Sequence, residues 1–294
     1  MFKKILLPVA IALSLSPVAG AVSLDKAGKA TGPSIQLIGG STTSDWPSTV
    51  QFFVSGGSAC TAVKIASHRY LTAAHCLIDK TTGEVESSAF FGARIYLSNV
   101  QQPTTSSGWT FNTLGQVMLH SSYVSEVLSR INSNESTNGA GMHSFDVATF
   151  TLQNTTPYPV SEVDFTEVSP GDNITLVGYG CEEKVGESRS GYGRKKAGDT
   201  YALAIDAYDN HPGYGAYYAG KAAEVFYHNV VVAAPKLDSS APGLCPGDSG
   251  GPAFKNNKVV GVGAYYSFMD SSGIAYTNME TKLSALAGWA GWTL

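Results

Sequence analysis

From Leu37 onward the chain is built of short runs of β-branched and aromatic residues, punctuated by glycine, serine, asparagine and proline. Residues 49–54, 147–152, 174–179, 201–208, 225–232 and 259–266 each have the length and make-up of a strand. Such runs, with no amphipathic helices between them, predict a sandwich or barrel rather than βαβ units. Lys255-Asn256-Asn257-Lys258 separates two apolar runs and predicts a tight hairpin, because asparagine tolerates positive φ. Only the C-terminal segment shows helical spacing. Met279, Leu283, Leu286 and Trp289 share one face and predict a short helix ending near Gly291. Residues 101–143 and 182–198 are rich in serine, asparagine, glycine and charge and read as surface loops. Residues 155–170 read as a connector, and no internal repeat is evident.

The first residues follow a different pattern. Lys3 and Lys4 precede an apolar run from Ile5 to Leu15, and Ala19-Gly20-Ala21 supplies small residues for cleavage. This predicts a secretory signal peptide over residues 1–21, of bacterial appearance, with removal after Ala21. The run is too short for a bilayer span, which takes about 20 residues, so the mature protein is expected to be exported and without a membrane anchor. Residues 22–36 are small, polar and aperiodic, as in a pro-segment.

Composition narrows the class. Hydrophobic residues make up 43% of the 294 and charged residues only 14%, which excludes a disordered chain. The net charge of −4, with no basic cluster, argues against a nucleic-acid partner. In an oxidising compartment the 4 cysteines imply disulfides, and spacing alone leaves three pairings open. There is no CxxC pair to suggest structural zinc.

The chemistry concentrates in two strings. In Cys245-Pro-Gly-Asp-Ser-Gly-Gly-Pro252, glycines flank a serine. A serine hydroxyl is a weak nucleophile that needs a base and an oxyanion stabiliser. Glycines let the backbone turn tightly enough to aim N–H groups at a reacting carbonyl oxygen, here those of Gly247 and Ser249. In Leu71-Thr-Ala-Ala-His-Cys76, small residues surround a histidine that could serve as the base.

TAAHC followed by GDSGGP resembles the chymotrypsin/trypsin family of serine endopeptidases. Leu37-Ile38-Gly39-Gly40 is similar to the family's N-terminus after pro-segment removal, and Gly178-Tyr179-Gly180 to its Gly-aromatic-Gly turn. The resemblance spans nearly all of the chain from Leu37. It implies an all-β fold of two antiparallel Greek-key β-barrels with a short C-terminal α-helix. Residues 37–155 would form the first barrel, and 156–294 the linker, second barrel and helix. It also implies a triad of His75, Asp146 and Ser249. Asp146 is chosen among the intervening aspartates because it opens the apolar stretch Val147–Leu152, matching the family's Asp-Val-Ala motif. The oxyanion hole would be the N–H groups of Gly247 and Ser249. A zymogen is implied, cleaved between Gln36 and Leu37 by an activating protease, with the new amine of Leu37 pairing with Asp248. Gln36 departs from the Arg or Lys that a trypsin-like activator would favour. The family's bridge behind the histidine matches Cys60 and Cys76, which leaves Cys181 for Cys245.

Specificity in the family comes from a pocket whose base lies six positions before the nucleophile, here Gly243, followed by Leu244. Neither carries charge, so a small or apolar substrate residue is expected rather than Arg or Lys. Ala264, Tyr265 and Tyr266, with residues 272–275, would form the wall. Substrates would be proteins or peptides, the chain a monomer, and no metal or organic cofactor is called for. The alternative is a catalytically silent homologue acting as a secreted binding protein. An α/β-hydrolase, whose G-x-S-x-G pattern GDSGG also satisfies, is disfavoured by the His-Asp-Ser order and the lack of interleaved helices.

Overall fold

In the run 49–54, Val50, Phe52 and Val54 alternate inward, and that period of two builds the first half of the molecule. A computed structural model describes residues 37–54, 59–84, 93–99, 109–181, 194–206, 221–267 and 275–289. All of them belong to one compact unit, Ile35–Leu294. The expected signal peptide, pro-segment, pocket-wall residues 272–274 and the end of the last helix lie outside the described residues.

The first half is a closed antiparallel barrel of six strands. They are β2 (Thr49–Val54), β3 (Cys60–Lys64), β4 (Arg69–Thr72), β5 (Arg94–Ser98), β6 (Thr110–Leu119) and β7 (Ala148–Leu152), in the order β2-β3-β4-β7-β6-β5. Val50, Phe52, Ala62, Tyr70, Ile95, Leu97, Leu114 and Phe150 fill it. Phe150 stacks on Tyr70 with ring centroids 5.2 Å apart.

The second half is a barrel-like sheet of seven strands. They are β1 (Ser41–Thr42), β8 (Asn173–Gly178), β9 (Lys196–Tyr201), β10 (Asn229–Ala233), β11 (Pro252–Lys255), β12 (Lys258–Ser267) and β13 (Thr277–Lys282). The order is β1-β9-β8-β11-β12-β13-β10, and the bridge between Ala202 and Val232 draws its ends together. The β11–β12 hairpin turns at Asn256 and Asn257, with φ of 51° and 64°, the twist a two-residue turn requires. Although Leu37–Thr42 precede the first barrel in sequence, they belong to this second sheet. β1 pairs with β9, and Leu37 is buried beside Leu176, Leu244 and Val260. The two halves meet over a shared core of Val63, Leu71, Phe145 and Val147 against Val177, Phe254, Val262 and Leu283.

Four segments differ from the sequence reading. The strand expected over 201–208 lies earlier, as β9 (Lys196–Tyr201), taking the end of the stretch 182–198 read as loop, because Lys196–Tyr201 pair with Asn173–Gly178 of β8. Within residues 101–143 lies a helix, α1 (Ser121–Asn132), whose Tyr123 and Val127 are buried. Its N-terminal cap is His120, whose ring nitrogen accepts the Ser122 N–H at 3.2 Å. The expected strand 225–232 is divided between α2 (Ala222–His228) and β10, because Ala222 and Val225 bury one helical face and Asn229 returns the chain to extended geometry. Met279 does not begin a helix. It lies in β13, where pairing with both β10 and β12 outweighs its helical spacing from Leu283, and the chain then makes a 3₁₀ turn over Ser284–Leu286.

Candidate active site

His75 sits in a 3₁₀ turn, Ala74–Cys76, directly after β4. Small neighbours let the turn press against the segment entering β7, and two bonds fix the residue, one at its backbone and one at its ring. The His75 N–H donates to Asp146 Oδ1 at 2.9 Å, and Nδ1 lies 2.7 Å from Oδ2. A carboxylate only accepts, so Nδ1 carries the proton and Nε2 is left as the acceptor. Asp146 is 2% exposed. A Cβ on Gly141 would stand 2.9 Å from Oδ2, so only glycine leaves room for the carboxylate.

Ser249 comes from the other half, in the loop before β11. The loop is held by Thr61 of β3, which the sequence reading did not single out. The Thr61 N–H donates to the Ser249 carbonyl at 2.8 Å, and its Oγ1 donates to the Gly247 carbonyl at 2.7 Å. Thr281 of β13 returns the support, its hydroxyl donating to the Asp146 carbonyl at 3.1 Å. The backbone N–H groups of Asp248, Gly250 and Gly251 donate within the protein. Those of Gly247 and Ser249 have no partner among the described residues. Gly247 reaches the φ of 101° that this turn needs.

His75, Asp146 and Ser249 line one cavity of about 380 Å³ with Leu244, Cys245, Pro246, Gly263, Ala264, Tyr265 and Tyr266. The rest of the lining comes from Lys80, Tyr123 and residues 137–141. Gly243 does not line it. Its N–H donates to the Ile38 carbonyl at 2.6 Å, and it packs on Pro235.

Asp248 is fully buried, and burial pushes its carboxyl up to about 6 against the opposing pull of Lys196 and two N–H donors. Gly180 N–H donates to Oδ1 at 2.6 Å and Cys245 N–H to Oδ2 at 3.0 Å. Lys196 is also buried, its ammonium donating to the carbonyls of Gly180 and Cys181 at 2.9 Å each. Leu37, expected to supply Asp248 with an amine, is buried in the same half with a left-handed φ of 55°.

Disulfides join Cys60 to Cys76, with Cα atoms 6.3 Å apart, and Cys181 to Cys245, 5.5 Å apart. These are the pairs that the resemblance implies. The first ties β3 to the histidine turn, and the second braces the segment before Ser249. Cys60, His75 and Cys76 cluster as metal ligands might, but both sulfurs are spent in the disulfide and offer no thiolate.

A further group went unnoticed in the sequence because its segment read as helix. Glu280 of β13 is 1% exposed, and neither carboxylate oxygen has a hydrogen-bond partner. Burial, reinforced by the nearby Asp248, pushes its carboxyl up to about 8.

The sequence model of the family described as Trypsin matches residues 37–290. No curated protein matches the chain. Among solved structures, human heparin binding protein is similar at 13% identity and a TM-score of 0.57, covering 85% of this chain and 93% of that one. Neuropsin, a serine protease from mouse brain, is similar at 15% identity and a TM-score of 0.56, with 85% and 96% covered. A scabies mite inactivated protease paralogue is similar at 15% identity and a TM-score of 0.56, with 84% and 92% covered. At these identities the likeness is one of fold: two β-barrels of the chymotrypsin-like type.

Proposed function

The chain belongs to the trypsin family, and on that premise we propose that it is a secreted serine endopeptidase acting through His75, Asp146 and Ser249. The observation that carries this reading is the double hold of Asp146 on His75, which leaves Nε2 as acceptor in the cavity that Ser249 lines.

The chemistry follows from those positions. His75 Nε2 takes the proton of the Ser249 hydroxyl as Oγ attacks the carbonyl carbon of a peptide bond. Asp146 keeps the ring in the required tautomer and offsets the charge of the imidazolium. The developing oxyanion accepts from the unengaged N–H groups of Gly247 and Ser249, a contribution worth roughly 3–4 kcal/mol per donor. The imidazolium protonates the departing amine, leaving an ester on Ser249. Water then attacks the ester with His75 again as base, releasing the acid and restoring the hydroxyl.

The proposal includes export, supported by the pattern of residues 1–21, and activation by cleavage between Gln36 and Leu37. The torsion φ of Leu37 runs through the Gln36–Leu37 bond, so cutting that bond abolishes a left-handed conformation that costs a leucine about 1–2 kcal/mol. The freed amine could then join Asp248. N-terminal sequencing of exported protein tests this. A start at Leu37 supports it, and a fully active enzyme starting at Val22 refutes it.

Labelling by a neutral fluorophosphonate tests the catalytic reading. Protein starting at Leu37 should label, and its Ser249→Ala variant should not. Failure of the folded mature protein to label would favour the binding-protein reading, a fate that the name of the inactivated mite paralogue shows this fold can meet. Gly243 and Leu244 bring no charge to the cavity, which by itself favours a small or apolar substrate residue.

A further inference from the structure

Shortly after His75 in the chain, Lys80 stands in a tight turn. The Asp79 N–H donates to the Glu84 carbonyl at 2.6 Å, and the Gly83 N–H donates to the Asp79 carbonyl at 2.8 Å. Leu77 and Ile78, which lead into the turn, are buried. Gly83, at φ 72°, lies so close to Leu128 of α1 that an added Cβ would collide with it. The same helix carries Tyr123. Turn and helix are therefore packed together, and Lys80 from one and Tyr123 from the other line the cavity of His75 and Ser249.

Both side chains are donors without an acceptor. The Lys80 ammonium makes no ion pair or hydrogen bond among the described residues. Its neighbour Asp79 is turned to Thr81, whose N–H and hydroxyl donate to Oδ1 at 2.8 and 2.7 Å. Tyr123 is 2% exposed, and its hydroxyl also has no hydrogen-bond partner among the described residues. Burial and the nearby Asp146 raise the phenol, which keeps its proton and stays a donor. A polar group on so buried a side chain calls for a partner. Asp146 does not serve, because both its oxygens are engaged by His75. No other acidic side chain of the described residues lines the cavity. An ammonium and a phenol O–H are answered together by an anion with two acceptor oxygens, which in a peptide is a carboxylate. Leu244, Ala264, Tyr265 and Tyr266 line the same cavity and offer an apolar place for the substrate residue at the scissile bond.

Resting on the endopeptidase reading, we propose that Lys80 and Tyr123 form an anion subsite, which selects substrates with an aspartate or glutamate next to the scissile residue on the acyl side. This adds to the expectation from Gly243 and Leu244. The residue at the scissile bond meets an uncharged wall, and the residue before it supplies the carboxylate. The chain's net charge of −4 opposes acidic peptides at a distance, so the preference is local to these two side chains.

The test uses mature protein starting at Leu37 and paired peptides with leucine at the scissile bond, preceded by glutamate in one and by the near-isosteric glutamine in the other. The ratio of their kcat/KM values should favour glutamate. Lys80→Gln should lower that ratio roughly 10-fold and Tyr123→Phe at least about 3-fold. Lys80→Arg should keep the preference, and Lys80→Glu should favour a lysine at the same position. Equal cleavage of the two peptides, in protein that fluorophosphonate labels, would overturn the proposal and leave the endopeptidase reading standing. A glutamate preference that survives Lys80→Gln, or one confined to the leaving side of the bond, would also overturn it. In protein that does not label, calorimetry with the same peptides decides. Tighter binding of the glutamate peptide, lost in Lys80→Gln, would support the subsite and remove the triad reading, whereas equal binding would overturn both. Should Tyr123→Phe fail to fold, the Lys80 series, on a side chain outside the core, decides the matter.

Discussion

Replacing Glu280 by glutamine should remove a pH dependence from the stability of the whole fold. Glutamate in an unfolded chain titrates near its ordinary value, 4.5, whereas burial and Asp248 push Glu280 up to about 8. Between those values the native protein holds a proton that the unfolded chain has released. Stability therefore falls as pH rises, by up to about 1.4 kcal/mol per pH unit. Asp248, raised to about 6, acts in the same sense but lower in pH, and its effect is largely complete by pH 6.5. His120 and His228, lowered by burial, act in the opposite sense and add stability as pH rises toward neutrality. The two histidines are not altered by the substitution, and Asp248 is already ionised over most of the range in which Glu280 titrates, so the difference between wild type and Glu280→Gln chiefly reports the Glu280 carboxyl. Urea denaturation at pH 5.5, 6.5 and 7.5, with disulfides intact, should show that difference moving in favour of the variant by roughly 2–3 kcal/mol across the range. About 1 kcal/mol of it should fall between pH 6.5 and 7.5. A flat difference would refute the reasoning, because it would mean that the carboxylate has a partner that stabilises its charge.

Three further outcomes are expected. Asp146→Asn should lower kcat on any peptide substrate roughly ten-thousand-fold with little change in melting temperature, since the amide favours the wrong tautomer of His75 while keeping the shape; steady-state kinetics alongside thermal denaturation checks both halves. Gly180→Ala places a methyl group onto the Asp248 carboxylate, which should displace the Cys245 and Gly180 N–H donors and slow fluorophosphonate labelling at least about 100-fold, while far-ultraviolet circular dichroism stays unchanged. Phe254→Ala empties the contact between the halves where Phe254 stacks on Trp46 at 4.1 Å, and should cost about 3–5 kcal/mol in urea denaturation.

The strands that alternate cleanly were legible in the sequence. Thr49–Val54 matches β2 residue for residue, and Lys255–Lys258 turns where two asparagines allow it. Both features are local, set by period and by φ. The misreadings arise where tertiary pairing overrides local spacing. Met279 has helical partners at Leu283 and Leu286, yet strands on both sides claim it for the sheet. Helix α1 was hidden by its serines, although Tyr123 and Val127 stand four apart and Glu126 pairs with Arg130 at the same interval. For the site, motifs pointed to His75 and Ser249, and chain position pointed to Asp146. Thr61 and Glu280 carried no motif. Each matters through a contact with a residue distant in sequence, and such a contact exists only once the sheets are paired.

Those distant contacts also explain why the site needs both halves. The two partners of the His75–Asp146 pair come from the first barrel, yet the Asp146 carbonyl is held by Thr281 of the second sheet. Ser249 belongs to the second sheet, yet its carbonyl is held by Thr61 of the first barrel. Each half thus fixes the reactive element of the other, and Thr72 extends the tie by donating to the Thr61 carbonyl at 2.8 Å. Gly250, at φ 81°, admits Thr72 where a side chain would collide with its hydroxyl. The alignment of an attacking oxygen with its base tolerates errors of only a fraction of an ångström. On the proposed endopeptidase reading that alignment depends on the contact between the barrels, so substitutions in the shared core around Phe254 should act on chemistry and stability through the same packing.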